Sequence, residues 1–379
     1  MIPYGKQDIS SADIEAVIEV LKSPFLTQGK CVPEFEEGLV KYTGAKYCSV
    51  MNSATSALHL AYLALGVGQD DIVWTTPITF VATSNAALMC GAKVDFVDIE
   101  ADTLNMSVNA LEEKLNQASQ CGKLPKVVTP VHMCGQSCDM AEIFELSKKF
   151  GFKIIEDASH SVGGDYLETK VGSCKYSDIS IFSFHPVKII TTAEGGALLT
   201  NDSEIDRKVK LLRTHGVTKD NLQRSNEGPW YYEQHELGYN YRMTELQAAL
   251  GVSQLTRLDA FIERRNEIAD IYISFLNKEK INFIKVKDDR KSSYHLFVVK
   301  VEAKKRKEIF EKLHSLNIGA QIHYYPVHKQ PYYQEIGEYS NLGISESTYK
   351  QIISIPMYPL LKQEDIDYIC DTLKNVIKE

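Results

Sequence analysis

The sequence predicts an α/β fold in two parts: a large domain built on a mostly parallel sheet, and a smaller α+β domain at the carboxyl-terminal end. Two observations predict this fold. Short β-rich runs at 72–76, 93–97, 126–130 and 153–156 alternate with helical patterns, which is typical of a parallel sheet. The length of 379 residues also exceeds the usual size of a single hydrophobic core, so we expect a second domain.

The elements can be taken in chain order. Ser10 and Asp13 form a predicted capping box for an amphipathic helix that ends before Pro24. Further helices are expected at 57–65 and 141–150, between the strands. A long charged helix over 255–277 then leads away from the sheet, which divides the chain into domains at 1–255 and 256–379. Within the second domain the patterns predict strands at 296–301 and 320–324, and helices at 304–316 and 364–377.

Composition excludes several classes of function. The net charge of −8 argues against a nucleic-acid partner, since such a surface needs clustered Lys and Arg. The first ten residues show neither the basic region nor the apolar region of a signal peptide, and no apolar run is long enough to span a bilayer. We therefore expect a cytoplasmic protein with no membrane partner. The eight cysteines lack metal-ligand spacing, so we expect reduced thiols and no metal site.

The segment 180–199 is the densest in chemical signals. An apolar strand breaks at Pro186, and Lys188 follows between Val187 and two isoleucines. Burying an unpaired ammonium costs several kcal/mol or leaves the amine neutral, and a neutral lysine is a nucleophile that can form a Schiff base. Taken alone, the same pattern also fits a lysine that extends its ammonium to the surface.

The end of the predicted strand 153–156 offers a partner for that lysine. Asp157 follows the strand directly, and His160 lies three residues further on. Ligands of open parallel sheets bind outside the carboxyl ends of the strands, where an acid can keep a pyridine nitrogen protonated. Asp157 could instead cap the turn that follows it.

Residues 52–56 form a loop of small polar residues that leads into a predicted helix. Free amides, the helix dipole and the hydroxyls of Thr55 and Ser56 together make an anion site suited to phosphate, although an ordinary capped helix has the same pattern. Phe80 follows another predicted strand. Its ring could stack on a flat cofactor or belong to the core.

Seven segments carry a resemblance that spans nearly the whole chain. They are LTQG at 26–29, NSATSALHLA at 52–61, TTPITFVATSNAAL at 75–88, VHMCGQSCDM at 131–140, EDASHSVG at 156–163, FSFHPVKIITTAEGGAL at 182–198 and LGYNYRMTELQAALGVSQL at 237–255. In kind and in order, they resemble the sugar aminotransferases of the DegT/DnrJ/EryC1/StrS family. The resemblance implies the fold type I of pyridoxal-phosphate enzymes, in which a mostly parallel mixed sheet carries helices on both faces.

The resemblance also implies roles for individual residues. Lys188 would form the Schiff base with pyridoxal 5′-phosphate, which alternates with pyridoxamine 5′-phosphate during turnover. Asp157 would pair with the pyridinium nitrogen, and His160 would lie near the phenolic oxygen, where family members often have Gln. The remaining cofactor contacts of the same chain would be Ala54, Thr55, Ser56, Phe80 and Ser183.

Four further residues concern the partner subunit and the substrate. In relatives the Asn that matches Asn240 reaches the phosphate from the neighbouring subunit, which implies a homodimer with shared active sites. Arg242 would contact an anion across that interface, or it is a surface arginine at a helix start. Thr27 belongs to the LTQG segment and is a candidate substrate contact. His323 and Tyr324 could contact a sugar nucleotide or pack the domain junction.

Three segments look closest to the pseudaminic-acid branch of the family: GPWYYEQHELGYNYRM, FHPVKIITTAEGG and QIHYYPVHKQPYY. The implied reaction moves the amino group of L-glutamate to the C4 ketone of UDP-2-acetamido-2,6-dideoxy-β-L-arabino-hexos-4-ulose, with 2-oxoglutarate as by-product. Enzymes that aminate C4 of the bacillosamine, legionaminic-acid, perosamine or aminoarabinose precursors share the cofactor motifs, so another nucleotide sugar is the alternative.

Rivals with a different chemistry are less consistent with the residues. Related dehydratases carry His where this chain has Lys188. A non-catalytic sensor on this fold would not need to keep Lys188, Asp157 and the phosphate loop together. A nicotinamide dehydrogenase would need a G-x-G-x-x-G after an early strand, which the sequence lacks.

Overall fold

The computed structural model describes residues 1–219 and 224–378. Its helices are α1 (Ser11–Lys22), α2 (Cys31–Thr43), α3 (Ala54–Ala64), α4 (Ala82–Met89), α5 (Val108–Gln120), α6 (Met140–Phe150), α7 (Ser203–Leu212), α8 (Arg224–Glu227), α9 (Glu245–Leu255), α10 (Leu258–Glu279), α11 (Arg306–Ser315), α12 (Pro331–Ile336), α13 (Gly343–Tyr349) and α14 (Gln363–Lys378). Its strands are β1 (Tyr47–Met51), β2 (Ile72–Thr75), β3 (Lys93–Phe96), β4 (Val127–Thr129), β5 (Lys153–Asp157), β6 (Asp165–Tyr166), β7 (Thr169–Lys170), β8 (Ile179–Ser183), β9 (Gly196–Thr200), β10 (Val217–Thr218), β11 (Glu233–Gln234), β12 (Asn282–Phe283), β13 (Arg290–Lys291), β14 (Phe297–Lys300) and β15 (Ile352–Ile355).

The main sheet has seven strands in the order β1-β9-β8-β5-β4-β2-β3. Strand β9 runs antiparallel to both of its neighbours, and every other pair in this sheet is parallel. The sheet is therefore mixed but mostly parallel, which confirms the predicted fold class. Its parallel strands end at a common edge, where ligands of such sheets bind.

Helices cover the main sheet on both faces. Successive side chains of a strand point to opposite faces, and the two isoleucines of β5 show where each face packs. Ile155 joins a core cluster with α3 and α4, whereas Ile154 joins a separate cluster with α5 and α6. Both side chains are almost fully buried. A strand that is apolar on both faces is typical of a parallel sheet between two helical layers.

The carboxyl-terminal residues build a second, antiparallel sheet in the order β12-β14-β15. Helices α10, α11 and α14 pack against it around a core that includes Tyr272, Leu313 and Ile369. The turn between α9 and α10 contains the proposed boundary at 255/256.

One predicted strand is wrong. The patterns predict a strand at 320–324, but the chain forms only an isolated bridge there, between Gln321 and Ser354. After Ile322 the chain turns inward, so that His323 and Tyr324 line a cavity instead of continuing a ladder. The predicted capping box of α1 is confirmed: Asp13 Oδ2 accepts from the Ser10 amide at 2.7 Å.

In the ranges given above, no helix combines the length and apolar character needed to cross a membrane. All eight cysteines are free thiols.

Candidate active site

A central cavity of about 480 Å³ lies at the carboxyl ends of the parallel strands of the main sheet. It is within the size range of small-molecule sites. The structure brings nine of the residues singled out from the sequence into its lining, namely Ala54, Thr55, Phe80, Asp157, His160, Ser183, Lys188, His323 and Tyr324. Tyr4 closes the same cavity from the amino-terminal segment.

Lys188 stands in the turn that follows β8. Its amide donates to the His185 carbonyl at 2.9 Å, which holds the turn. Burial lowers the pKa of the Lys188 amine to about 8, although the nearby charge of Asp157 opposes the shift. At pH 7 roughly a tenth of the amine is therefore uncharged and nucleophilic.

Asp157 ends β5, and two donors fix its carboxylate. Thr83 Oγ1 donates to Oδ2 at 2.6 Å, and the Ser159 amide donates to Oδ1 at 3.1 Å. The second bond is the turn cap that the sequence left open as an alternative. Asp157 thus caps its turn and also faces the central cavity, so the two interpretations describe one residue.

The amino-terminal end of α3 forms one wall of the cavity. Ser53 caps the helix by accepting from the Ser56 amide at 3.1 Å. The first amides of a helix have no acceptor within it, so those of Ala54 and Thr55 are available to an anion. Ser56 is placed differently: it lies outside the cavity lining, and its hydroxyl donates to Asn52 Oδ1 at 2.6 Å.

Two aromatic side chains, Phe80 and Tyr324, line the cavity. Phe80 is 58% exposed, so it does not belong to the core. Its ring centroid lies 6.1 Å from that of Tyr324. A flat aromatic ligand could stack against an exposed ring of this kind.

Two histidines of the lining, His160 and His323, are buried. His160 Nε2 lies 3.3 Å from the Tyr324 hydroxyl, and its Nδ1 is buried with no hydrogen-bond partner among the described residues. Burial, followed by the charge of Lys188, lowers the pKa of His160 well below its usual value. The same two causes lower the pKa of His323 to about 3. Both rings are therefore neutral.

Besides Ser56, three more predicted residues lie outside the central cavity of their own chain. Thr27 is exposed, next to Gln28 in the loop before α2. Asn240 is also exposed, and its backbone carbonyl accepts from Asn52 Nδ2 at 3.4 Å, beside the start of α3. Arg242 lines a separate, smaller cavity together with Gln28 and Gly29.

The sequence did not single out several residues that shape the site. Thr83 holds Asp157 through its hydroxyl. Gly196 pairs with Ser183, and a Cβ on it would stand 2.5 Å from the Ala54 amide nitrogen. His295 Nε2 lies 3.5 Å from Lys188 Nζ. Nothing in the local pattern marks His295, because it precedes an ordinary apolar strand more than 100 positions away.

The cavity offers what a phosphorylated aromatic aldehyde needs. It has an amine with a lowered pKa, a fixed carboxylate, a helix amino terminus for the phosphate and an exposed ring for stacking. The residues therefore fit pyridoxal 5′-phosphate. Across residues 1–219 and 224–378, no group of three or more His, Cys, Asp or Glu side chains is arranged to hold a metal ion.

Comparison with known proteins gives matches over the full chain. Residues 7–374 match the model of the DegT/DnrJ/EryC1/StrS aminotransferase family. The chain is 43% identical to the UDP-4-amino-4,6-dideoxy-N-acetyl-β-L-altrosamine transaminase of Campylobacter jejuni, over 100% of this chain and 98% of that protein.

Solved structures agree with this match. Helicobacter pylori PseC, an aminotransferase involved in the biosynthesis of pseudaminic acid, has a TM-score of 0.91 and 34% identity, covering 100% of this chain and 99% of that one. Spr1654 of Streptococcus pneumoniae, described as a sugar aminotransferase and solved in its PLP form, has a TM-score of 0.89 and 29% identity, covering 100% and 98%.

Proposed function

The chain belongs to the DegT/DnrJ/EryC1/StrS aminotransferase family, and on that premise we propose that it is a pyridoxal-phosphate enzyme that aminates a UDP-linked keto sugar. Lys188 attaches the cofactor, and L-glutamate is the amino donor. The acceptor is the C4 ketone of UDP-2-acetamido-2,6-dideoxy-β-L-arabino-hexos-4-ulose, an intermediate on the route to pseudaminic acid.

One observation carries the chemical part of this proposal. The Lys188 amine, with its pKa lowered to about 8, shares a cavity with the fixed carboxylate of Asp157 and the amino terminus of α3. The choice of sugar rests on sequence similarity. The Campylobacter jejuni transaminase matches from end to end at 43% identity, and its name specifies the amino sugar that it makes or uses.

Each residue of the cavity has a distinct role in this proposal. When bound, the cofactor supplies an electron sink for the carbon that loses its proton. Asp157 keeps the ring nitrogen protonated, because its fixed carboxylate accepts that proton's hydrogen bond. After glutamate releases it from the cofactor, the uncharged Lys188 amine would carry the proton from Cα of glutamate to the cofactor, and in the second half-reaction it would carry a proton from the cofactor to C4 of the sugar. Ala54, Thr55 and Ser183 bind the phosphate, and Phe80 stacks on the ring.

The active site is proposed to be shared within a homodimer. Asn240 and Arg242 do not line the central cavity of their own chain. The same region exposes large apolar side chains, with Trp230 75% and Leu237 77% accessible. Large exposed apolar side chains within one short segment are consistent with an interaction surface. We therefore propose that Asn240 reaches the cofactor phosphate of the second subunit, and that Arg242 and Thr27 meet substrate across the interface.

His323 and Tyr324 are proposed sugar-nucleotide contacts, because they line the central cavity together with Lys188 and Asp157. We also propose a cytoplasmic location, since UDP-linked sugars and free glutamate are cytoplasmic metabolites.

In the decisive experiment, the purified protein is incubated with L-glutamate and a panel of 4-keto and 3-keto nucleotide sugars. Product mass and amine stereochemistry are then measured. We expect one aminated product, from the UDP-linked 4-keto sugar, and none from the Lys188→Ala variant. A product only from a GDP- or dTDP-linked sugar would overturn the choice of substrate but leave the aminotransferase assignment intact. Failure with every sugar, together with no borohydride-sensitive absorbance, would overturn the assignment itself.

A further inference from the structure

His295 lies against the proposed reactive amine but has no role in the function described above. Its Nε2 is 3.5 Å from Lys188 Nζ, and its ring centroid is 4.3 Å from that of His160. The side chain is buried and comes from the segment just before β14, outside the main sheet. It therefore approaches Lys188 from the carboxyl-terminal part of the chain.

The segment that carries His295 is held at several points. Ser293 Oγ donates to the His160 carbonyl at 2.8 Å, and the Ser293 amide donates to the Gly135 carbonyl at 2.9 Å. The guanidinium of Arg265, which is fully buried, donates to the Tyr294 carbonyl at 3.0 Å. A Cβ on Gly135 would stand 2.9 Å from the His295 amide nitrogen, so the two segments are in close contact. These contacts fix the backbone next to His295 and so restrict where its ring can lie.

The protonation of His295 follows from its surroundings. Burial, then the charge of Lys188, lowers its pKa well below the usual value, so the ring is neutral and carries one proton. Its Nδ1 is buried and has no hydrogen-bond partner among the described residues. A buried N–H without an acceptor is rarer in proteins than a buried acceptor without a donor. The proton therefore belongs on Nε2, the nitrogen that faces Lys188.

We propose that His295 is a positioning residue for Lys188: its Nε2–H donates to the lone pair of the uncharged amine and holds Nζ in place. This inference rests on the proposed function, because it concerns the amine that attaches the cofactor. It means that a residue from the carboxyl-terminal part of the chain helps to set the position and protonation of that amine. The uncharged form of the lysine is favoured, since an ammonium has no lone pair to accept the bond.

Other charged or titratable groups also face this pair. Asp157 favours the charged amine, while His160 and His323 are neutral neighbours within the cavity. Arg265 lies behind His295 and disfavours a positive charge on its ring. Among the described residues, the side chain within hydrogen-bond range of Lys188 Nζ is that of His295 and not one of these groups.

The test measures the pH at which Lys188 becomes reactive in the full-length, cofactor-free protein. The protein is treated with an uncharged acylating reagent across a pH series, and peptide mass spectrometry gives the fraction of Lys188 modified at each pH. For His295→Leu, which removes the donor but keeps the site apolar, we expect the midpoint to rise by roughly half a unit to one unit. For His295→Gln, whose amide nitrogen can occupy the position of Nε2 and donate, we expect a midpoint close to that of the unmodified chain.

A matched control is His328→Leu, which removes another buried histidine, one that pairs with Glu346 away from the central cavity. Its Lys188 midpoint should not move. Circular dichroism over the same pH series must show that each variant stays folded, because an unfolded fraction titrates near the usual pKa of 10.5 and would raise the midpoint by itself. If His295→Leu leaves the midpoint unchanged or lowers it, the inference is overturned.

The proposed function is tested separately on the unmodified chain, by adding pyridoxal 5′-phosphate and borohydride. If the unmodified chain traps no cofactor, the function fails whatever the variants do. If it traps cofactor but the His295→Leu midpoint stays fixed, only the inference fails.

Discussion

Thr83 Oγ1 lies 2.6 Å from Asp157 Oδ2, and this bond joins the first turn of α4 to the end of β5. A carboxylate is only an acceptor, so the threonine hydroxyl must be the donor. Thr79 Oγ1 lies 3.1 Å from Thr83 Oγ1 and can supply the hydrogen bond that Thr83 accepts in turn. The carboxylate orientation is thus set from the loop and helix that also carry Phe80.

The first prediction concerns this bond. Thr83→Val has nearly the same shape but cannot donate, so a buried carboxylate oxygen loses its partner. We expect kcat/KM for glutamate to fall by roughly 10- to 100-fold, because a hydrogen bond to a charged group contributes about 1.5–3 kcal/mol. Steady-state kinetics and a cofactor titration by absorbance measure the effect.

A matched control separates this effect from general damage. Thr75 is also a buried threonine, but its hydroxyl donates to the Thr129 carbonyl within the sheet and does not face the central cavity. Thr75→Val should lower stability and leave cofactor affinity nearly unchanged. Equal kinetic losses in the two variants would contradict the role given to Thr83.

The second prediction concerns Gly196 in β9. A Cβ there would stand 2.5 Å from the Ala54 amide nitrogen and 2.6 Å from Ala54 Cα, so Gly196→Ala must push the start of α3 away. We expect cofactor affinity to fall at least about tenfold, and the free energy of unfolding to drop by about 1–3 kcal/mol from overpacking. Inhibition by inorganic phosphate, which reports on the anion site alone, should weaken in parallel.

Gly68→Ala is the control, because nothing lies within 4 Å of its Cβ position. It should change neither cofactor affinity nor phosphate inhibition. If Gly196→Ala binds phosphate as tightly as the unmodified chain, the amino terminus of α3 is not the phosphate site.

The third prediction links the Lys188 amine to stability. In the folded chain its pKa is about 8, below the usual 10.5. The unfolded chain therefore binds more protons between these two pH values, and this group makes the free energy of unfolding rise with pH across that window. Below pH 8 the cost of burying the ammonium is fully present. Lys188→Met should therefore stabilise the cofactor-free chain at pH 7 by on the order of 2 kcal/mol, with a gain that shrinks towards pH 10.5.

Calorimetric melting of the cofactor-free variants at pH 7 and pH 10 tests this sign. Lys307→Met serves as the comparison, because the Lys307 side chain is 86% exposed. It should show no difference in melting temperature that depends on pH. A Lys188→Met variant that is less stable than the unmodified chain at pH 7 would mean that the amine is well solvated.

The sequence predicted best the elements whose signals are local. Strands β2 to β5 lie within one or two residues of their predicted bounds, because short apolar runs between turns mark buried parallel strands. The predictions omitted β1 and β9, since β9 begins at the second glycine of a Gly-Gly pair and depends on an antiparallel pairing with β1 about 150 positions away. Such long-range pairing has no local signature.

The residues of the candidate site also fall into those with a local sequence signal and those placed only by tertiary folding. Lys188, Asp157 and the α3 amino terminus could be found because each follows a strand end or opens a helix, where chemistry collects in this fold class. Whether Phe80 is exposed could not be decided from its neighbours alone. His295 reaches Lys188 only through tertiary folding, and Ser56 has the right residue type but spends its hydroxyl on Asn52. Residue type and order predict the candidates, and packing decides which side chains face the cavity.

The last prediction tests whether the active site is shared between subunits. Lys188→Ala and Asn240→Ala should each abolish most activity, because one removes the reactive amine and the other a phosphate contact of the second subunit. In a mixed dimer of the two variants, one site carries both defects and the other carries none. The mixed dimer is obtained by co-expression with two affinity tags and tandem purification. It should have about half of the activity of the unmodified dimer. The control pairs Lys188→Ala with Asp157→Asn, two residues that line the same cavity of one chain. That mixed dimer has one defect in each site and should stay inactive. Recovery in neither mixture would mean that Asn240 acts within its own chain, since complementation requires the two residues of one site to come from different subunits.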